Sequence, residues 1–178
     1  MNEDIVRLMA ACDYAARQHA DQRRKGAACE PYVNHVIEVA ARVASSPDAD
    51  ADTVIAALLH DVVEDTDGTA ADIAALFGAR VAGIVLEVTD DKTLAKSVRK
   101  ARQVETVRAK SDAALRIKLA DKAANLAALA HSPPAHWNAA RKSAYLDWAE
   151  AVISGCRALD PVLEAGFDRE ASRLRQCL

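Results

Sequence analysis

Residues 56–66 read AALLHDVVEDT. The run continues an apolar helix whose Val54, Ile55, Leu58, Leu59 and Val62 recur three and four apart, and it ends in His60-Asp61-Val62-Val63-Glu64-Asp65. Read as one helix, positions four apart share a face. Glu64 then lies one turn beyond His60, and Asp65 one turn beyond Asp61. An imidazole and three carboxylates occupy a small volume. Two readings fit. A divalent cation among the acids relieves their repulsion. Alternatively, the acids are solvated at a helix end, where they oppose the macrodipole.

Working outward, Asp50 or Asp52 is the N-cap candidate for this helix, and Pro47-Asp48 breaks the one before it, over 32–45. A first helix spans about 3–20 and gives way to a polar loop, DQRRKGAACEP. Downstream, Thr69 caps a short helix that stops at Gly78, and Val81, Ile84, Val85 and Val88 keep helical spacing over 79–89. Helices are expected at about 97–109, 111–130, 135–158 and 160–174, with Pro133-Pro134 and Pro161 as breaks. The 178 residues include 40 alanines, and aromatics are only 4%. Alanine favours helix, and strands want more β-branched and aromatic side chains. The expectation is an all-α bundle of about eight to ten helices, forming a single domain over 1–178 with no internal repeat.

The formal net charge of −3 argues against broad nucleic-acid binding. No run approaches the roughly 18 apolar residues of a membrane span. The N-terminus is acidic and unlike a signal peptide. Cys12, Cys29, Cys156 and Cys177 form no CxxC pair and read as reduced thiols of a cytoplasmic protein.

Two further patterns bear on chemistry. Lys118, Asp121 and Asn125 fall at i, i+3 and i+7 in the alanine-rich run KLADKAANL, a polar stripe that is either a solvent face or the wall of a polar cavity. Arg23-Arg24-Lys25-Gly26, followed by Pro31-Tyr32-Val33-Asn34-His35, is either a solvated loop before a packed histidine or an anion clamp beside a ligand.

Together, these give the order His35, His60-Asp61, Asp121. That order resembles the HD-domain metal-dependent phosphohydrolases, an all-α superfamily. The text RRKG, PYVNH, AALLHDVVEDT, FGARVAGIVLEVTDDKTLAKSVRK, QVE and KLADKAANL is similar to the hydrolase domain of the RelA/SpoT alarmone enzymes. It is most similar to the small stand-alone alarmone hydrolases of the metazoan SpoT-homologue type, and YLDWA at 145–149 also fits them. The chain departs from that pattern at Val36, where the family usually has proline, and in the KGAACEP loop.

The resemblance implies one Mn²⁺ held by His35, His60, Asp61 and Asp121, with Glu64 and Asp65 orienting or deprotonating the attacking water. It implies hydrolysis of the 3′-pyrophosphate of guanosine 3′,5′-bis(diphosphate), (p)ppGpp. Arg24 and Lys25 are the leading phosphate contacts, and Lys96 stands out in a second basic group with Lys92, Arg99 and Lys100. Asn125 and Tyr145 match positions lining the family's nucleotide pocket. Tyr32 is placed to cover base or ribose, and Lys118 to bond phosphate or brace Asp121. His19, His131 and His136 supply no spacing for a second metal. The expected partner is a small-molecule nucleotide, with no nucleic acid and no membrane, and a homo-oligomer is compatible with the sequence. Two alternatives stand beside this reading: removal of the 2′-phosphate of NADPH by the same site, and a nucleotide-sensing module without catalysis.

Overall fold

Apolar residues three and four apart become helices, and the breaks fall where the chain carries proline, glycine or a capping side chain. The computed structural model describes residues 3–178, and the first two residues of the expected 1–178 domain lie outside them. The helices are α1 (Glu3–Gln18), α2 (Val33–Ala44), α3 (Ala51–Leu59), α4 (Val62–Asp65), α5 (Ala70–Phe77), α6 (Ala79–Val88), α7 (Lys96–Thr106), α8 (Asp112–His131), α9 (Ala139–Ile153) and α10 (Pro161–Gln176). Short 3₁₀ turns follow α7 and α9. The described residues contain no strand, only an isolated bridge between Arg23 and Pro31. The fold class is therefore all-α, and no helix is long and apolar enough to cross a membrane among these residues.

The caps are legible in side-chain chemistry. The Asp50 carboxylate accepts the Thr53 N–H at 2.9 Å, and Thr69 forms a reciprocal capping box with Asp72. The helix expected from 135 starts only at Ala139, because the Asn138 side chain accepts the Arg141 N–H and sets the boundary there.

The continuous helix expected through AALLHDVVEDT is interrupted. α3 ends at Leu59, and Asp61 takes φ −100° and ψ −2° before α4 begins. The Ala57 carbonyl, which a continuing helix would give to the Asp61 N–H, accepts His60 Nδ1–H instead at 2.8 Å. Helical bonding resumes at once, with Asp65 N–H on the Asp61 carbonyl at 2.8 Å. The break turns Asp61 off the helical register assumed from spacing.

α8 runs between two apolar clusters. Ala113, Ala114, Ile117, Ala120 and Ala124 join residues of α1, α2, α3, α5 and α6. Leu115, Leu119, Ala123 and Leu126 join α9 and α10, including Leu146, Val152, Phe167 and Leu174. The polar stripe of α8 is therefore no open solvent face: Lys118 is buried, and the Asp121 and Asn125 side chains are mostly covered. α7 differs from every other long helix in burying no residue at all.

Asp160 ties the ends of α2, α8 and α10. Its carboxylate accepts the Val162 and Leu163 N–H groups, the Ser46 hydroxyl and Arg116 Nε at 3.4 Å, and the residue is 1% exposed. Burial alone would raise its pKa, but the Ser46 hydroxyl, the Leu163 N–H and Arg116 together hold it below the ordinary 3.8. Asp160→Ala leaves Arg116 without its buried partner and α10 uncapped, so it should destabilise the fold by about 3 kcal/mol in urea unfolding. Ser46→Ala should remove about 1.5 kcal/mol. Because the folded pKa is depressed, the Asp160 contribution is complete above pH 3.8 and is lost as pH falls through the folded value. A wild-type and Asp160→Ala difference that stays constant down to pH 2 would contradict this assignment.

Candidate metal centre and active site

The His60 Nδ1 bond to a carbonyl fixes the tautomer, since a carbonyl can only accept. In the neutral ring Nε2 then carries the lone pair, and it is buried. It faces Asp61 Oδ2 at 3.1 Å and Asp121 Oδ1 at 3.9 Å. From α2, His35 Nε2 faces the same two oxygens, at 3.7 and 3.4 Å. Ligand atoms of His35, His60 and Asp121 all lie within 4.8 Å of one another, and Asp61 Oδ2 stands beside both histidines. With ligand bonds of about 2.1 Å, neighbours in a metal shell stand ~3–4 Å apart. Two imidazoles and two carboxylates converging, with His60 Nε2 turned into the set, fit a divalent cation.

A second layer fixes each carboxylate. Asp121 Oδ2 accepts Lys122 Nζ at 2.8 Å, and Oδ1 accepts Asn125 Nδ2 at 2.6 Å. Tyr32 donates its hydroxyl to Asp61 Oδ2 at 2.6 Å. Arg24 reaches both supports, bonding Asn125 Oδ1 at 3.0 Å and lying 5.7 Å from the Tyr32 ring centroid. Burial would raise the Asp121 pKa, yet Lys122 and the two histidines hold it well below the usual carboxylate range. Asp61 is depressed likewise, against its own burial, chiefly by His60. Tyr32 is raised by burial and by Asp61, so it remains a phenol that donates.

A cavity of about 680 Å³ opens beside this set. Arg24, Lys25, Tyr32, His35, Lys96, Asn125 and Tyr145 all line it. Arg24 is presented by a tight loop, with its N–H on the Glu30 carbonyl at 2.8 Å and Tyr32 N–H on the Gln22 carbonyl at 3.0 Å. Gly26 lets this loop lie against the end of α8, where any Cβ would run into the Ser132 carbonyl.

Lys118 stands elsewhere. Its buried ammonium donates to the Val88 carbonyl at 2.9 Å and does not line the cavity. Burial, then the Lys122 charge, lowers its pKa to about 8. Glu64 and Asp65 line a second cavity, of about 540 Å³, with Lys92. Glu64 accepts the Asp90 N–H at 3.0 Å and lies 3.4 Å from Arg99 Nη1. Its pKa is raised by burial, with the charges of Asp61, Asp90 and Asp65 adding to it and the Asp90 N–H opposing. Asp65 pairs with Lys92, and its carbonyl accepts Gln22 Nε2 at 2.5 Å. His19 is buried, bonded through Nδ1 to Gln22 Oε1 and packed on Tyr32, whereas His131 and His136 are exposed. The described cysteines are free. Sequence reasoning missed Lys122. Its signal was a lysine beside Asp121 in a helix otherwise built for burial.

An HD-domain family model matches residues 11–149. The chain is 44% identical over 166 residues to the human protein named guanosine-3′,5′-bis(diphosphate) 3′-pyrophosphohydrolase MESH1, covering 92% of each chain. A bacterial protein of the same enzyme name from Aquifex aeolicus is 37% identical over 146 residues, covering 72% of this chain but only 20% of that longer one. A solved structure described as a metazoan ortholog of SpoT that hydrolyzes ppGpp superposes with a TM-score of 0.90 at 43% identity, covering 97% of both chains.

The electrostatics of this cluster give a direct test. Burial would lower the His60 pKa, but the Asp61 and Asp121 charges raise it to about 9, whereas burial keeps His35 below 6.5. At pH 7.5 the metal-free protein should therefore hold one proton on His60 Nε2, the position a cation would take. Calorimetric titration with Mn²⁺ in two buffers of different ionisation enthalpy should report about one proton released per ion. The raised folded pKa stabilises the metal-free fold below 6.5, and that contribution is lost as pH rises through about 9. A binding heat independent of buffer would contradict this charge state.

Proposed function

The chain belongs to the HD-domain family, among the small MESH1-like proteins, and from that premise we propose that it hydrolyses the 3′-pyrophosphate of guanosine 3′,5′-bis(diphosphate) as a single catalytic domain. The observation that carries this reading is the convergence of His35, His60, Asp61 and Asp121 beside a cavity that His35 lines together with Arg24, Lys25 and Lys96. The cation is Mn²⁺ in this proposal, suited to mixed imidazole and carboxylate ligands. Bound there, it supplies Lewis acidity that lowers the pKa of a water and draws charge from phosphoryl oxygens.

The chain's own residues do the rest. Tyr32, Asn125 and Lys122 keep the two carboxylates aimed inward. Arg24, Lys25 and Lys96 neutralise the substrate's phosphates, and Tyr145 offers a ring to the nucleoside. Glu64 and Asp65 orient the attacking water and take its proton, and burial lifts the Glu64 pKa towards the range where a carboxylate accepts a proton usefully. Attack on the ribose-proximal phosphorus breaks the 3′-O–P bond. Pyrophosphate keeps the water's oxygen, and the ribose 3′-oxygen leaves as a hydroxyl. Lys118 contributes from below, holding the α6 terminus through Val88.

Glu64→Gln and Asp65→Asn should retain Mn²⁺ binding, read by electron paramagnetic resonance, while kcat falls about 10²–10⁴-fold. Full activity in both variants would remove these residues from proton transfer. Pyrophosphate and orthophosphate should be assayed separately on guanosine bis(diphosphate) and NADPH. Pyrophosphate from the first supports the proposal. Orthophosphate from NADPH alone would replace it with 2′-phosphatase activity, and binding without either product would replace it with a sensing role.

A further inference from the structure

Trp148 does not line the cavity and is not one of the proposed ligands. Its indole on α9 meets two lysines, with Lys100 Nζ 4.3 Å and Lys122 Nζ 4.8 Å from the ring centroid. Its Nε1–H also donates to the Lys100 carbonyl at 3.0 Å. Lys122 is 4% exposed, and its one carboxylate contact among the described residues is Asp121 Oδ2. A buried ammonium has three protons to satisfy, and an aromatic face supplies negative potential where further oxygens are lacking. Lys100 has no ion pair among the described residues, and its head group meets the rings of Trp148 and Tyr145. Burial and the charges of Lys96, Lys122 and Arg141 all lower the Lys100 pKa, so this corner is crowded with cations.

The second half of the argument concerns α7. No residue of that helix is fully buried, so side-chain contacts decide where it sits. The Arg99–Glu64 pair and the 2.7 Å Gln103–Asp90 bond hold one side, and the Trp148–Lys100 contacts hold the other. Lys96, one turn before Lys100, lines the cavity.

We propose that Trp148 is a positioning residue for both halves of the site. Through Lys122 it keeps Asp121 turned toward His35 and His60, and through Lys100 it docks α7 so that Lys96 faces the cavity. The inference rests on the functional reading above, in which Asp121 is a metal ligand and Lys96 a phosphate contact. The two roles use overlapping parts of the side chain: the aromatic face meets both Lys122 and Lys100, whereas the indole N–H acts on α7 alone, through the Lys100 carbonyl.

The test uses the full chain with W148F and W148L, checked for folding by circular dichroism. In W148F the ring survives and the N–H is lost. Its KM for guanosine bis(diphosphate) should rise several-fold with kcat held, and its Mn²⁺ affinity by paramagnetic resonance should stay within about twofold of wild type. In W148L the aromatic face is lost as well, and Mn²⁺ affinity should fall about 10-fold, as for other supports of metal ligands. The phenyl ring thus rescues metal binding without rescuing KM, a split that a merely structural tryptophan does not produce. Wild-type Mn²⁺ affinity and KM in W148L would overturn the proposal, as would parallel losses in both variants that track the thermal midpoint. Should W148L not fold, the KM shift of W148F and the Mn²⁺ affinity of Lys122→Gln decide the same question. A wild-type protein that neither binds Mn²⁺ nor hydrolyses the nucleotide defeats the functional reading itself. An active wild type with indifferent Trp148 variants defeats only this inference.

Discussion

The hydrogen bond from His60 Nδ1 to the Ala57 carbonyl constrains everything around it. It ends α3 by occupying an oxygen the helix would otherwise use. It selects one tautomer, leaving Nε2 as the atom turned toward the carboxylate oxygens, free to take a proton or a cation. The turn that follows brings Asp61 within reach of both histidines and of the Tyr32 hydroxyl. Without that bond, a continuous helix would carry Asp61 and His60 to different faces. Folding therefore accepts a local break in helical bonding and assembles a donor set in which a cation would take the place of the His60 proton.

Small side chains make that assembly sterically feasible. Ala56 and Ala57 on α3, and Ala120 and Ala124 on α8, are essentially inaccessible to solvent and belong to one cluster with Val36 and Val39 of α2. Methyl groups at these positions permit close approach of the helices that carry His60, Asp121 and His35. The excess of alanine, first noted as a sign of helix, thus also reflects the spacing of the centre. Larger cores reach their density with bulkier residues, but a bulky residue at Ala120 or Ala124 would separate the elements whose ligand atoms must come within 4 Å.

Much of this was legible in sequence because periodicity and capping are local. Asp50, Thr69 and Pro161 mark real helix starts, and His35, His60 and Asp121 come together in space with Asp61 beside the two histidines. The failures come from tertiary contacts. Spacing placed Glu64 and Asp65 on a continuous helix face, whereas a side-chain-to-carbonyl bond redirects the chain at His60. Lys118 lies on the right stripe, yet its ammonium is taken by the α6 terminus. Lys122 and Trp148 were hidden because a lysine in a helix normally reads as solvent-facing, and only the closure of α9 over α8 shows that this one is buried.

The bare underside of α7 has a thermodynamic consequence. Detaching a helix with no fully buried residue exposes less apolar surface than detaching one of the core helices, so its opening carries a smaller heat-capacity change. The contacts that hold it are mostly ion pairs and polar bonds, which weaken with salt. The segment over the basic edge of the cavity is thus governed by ionic strength more than by temperature, and it belongs to a softer energetic layer than the two cores beneath it.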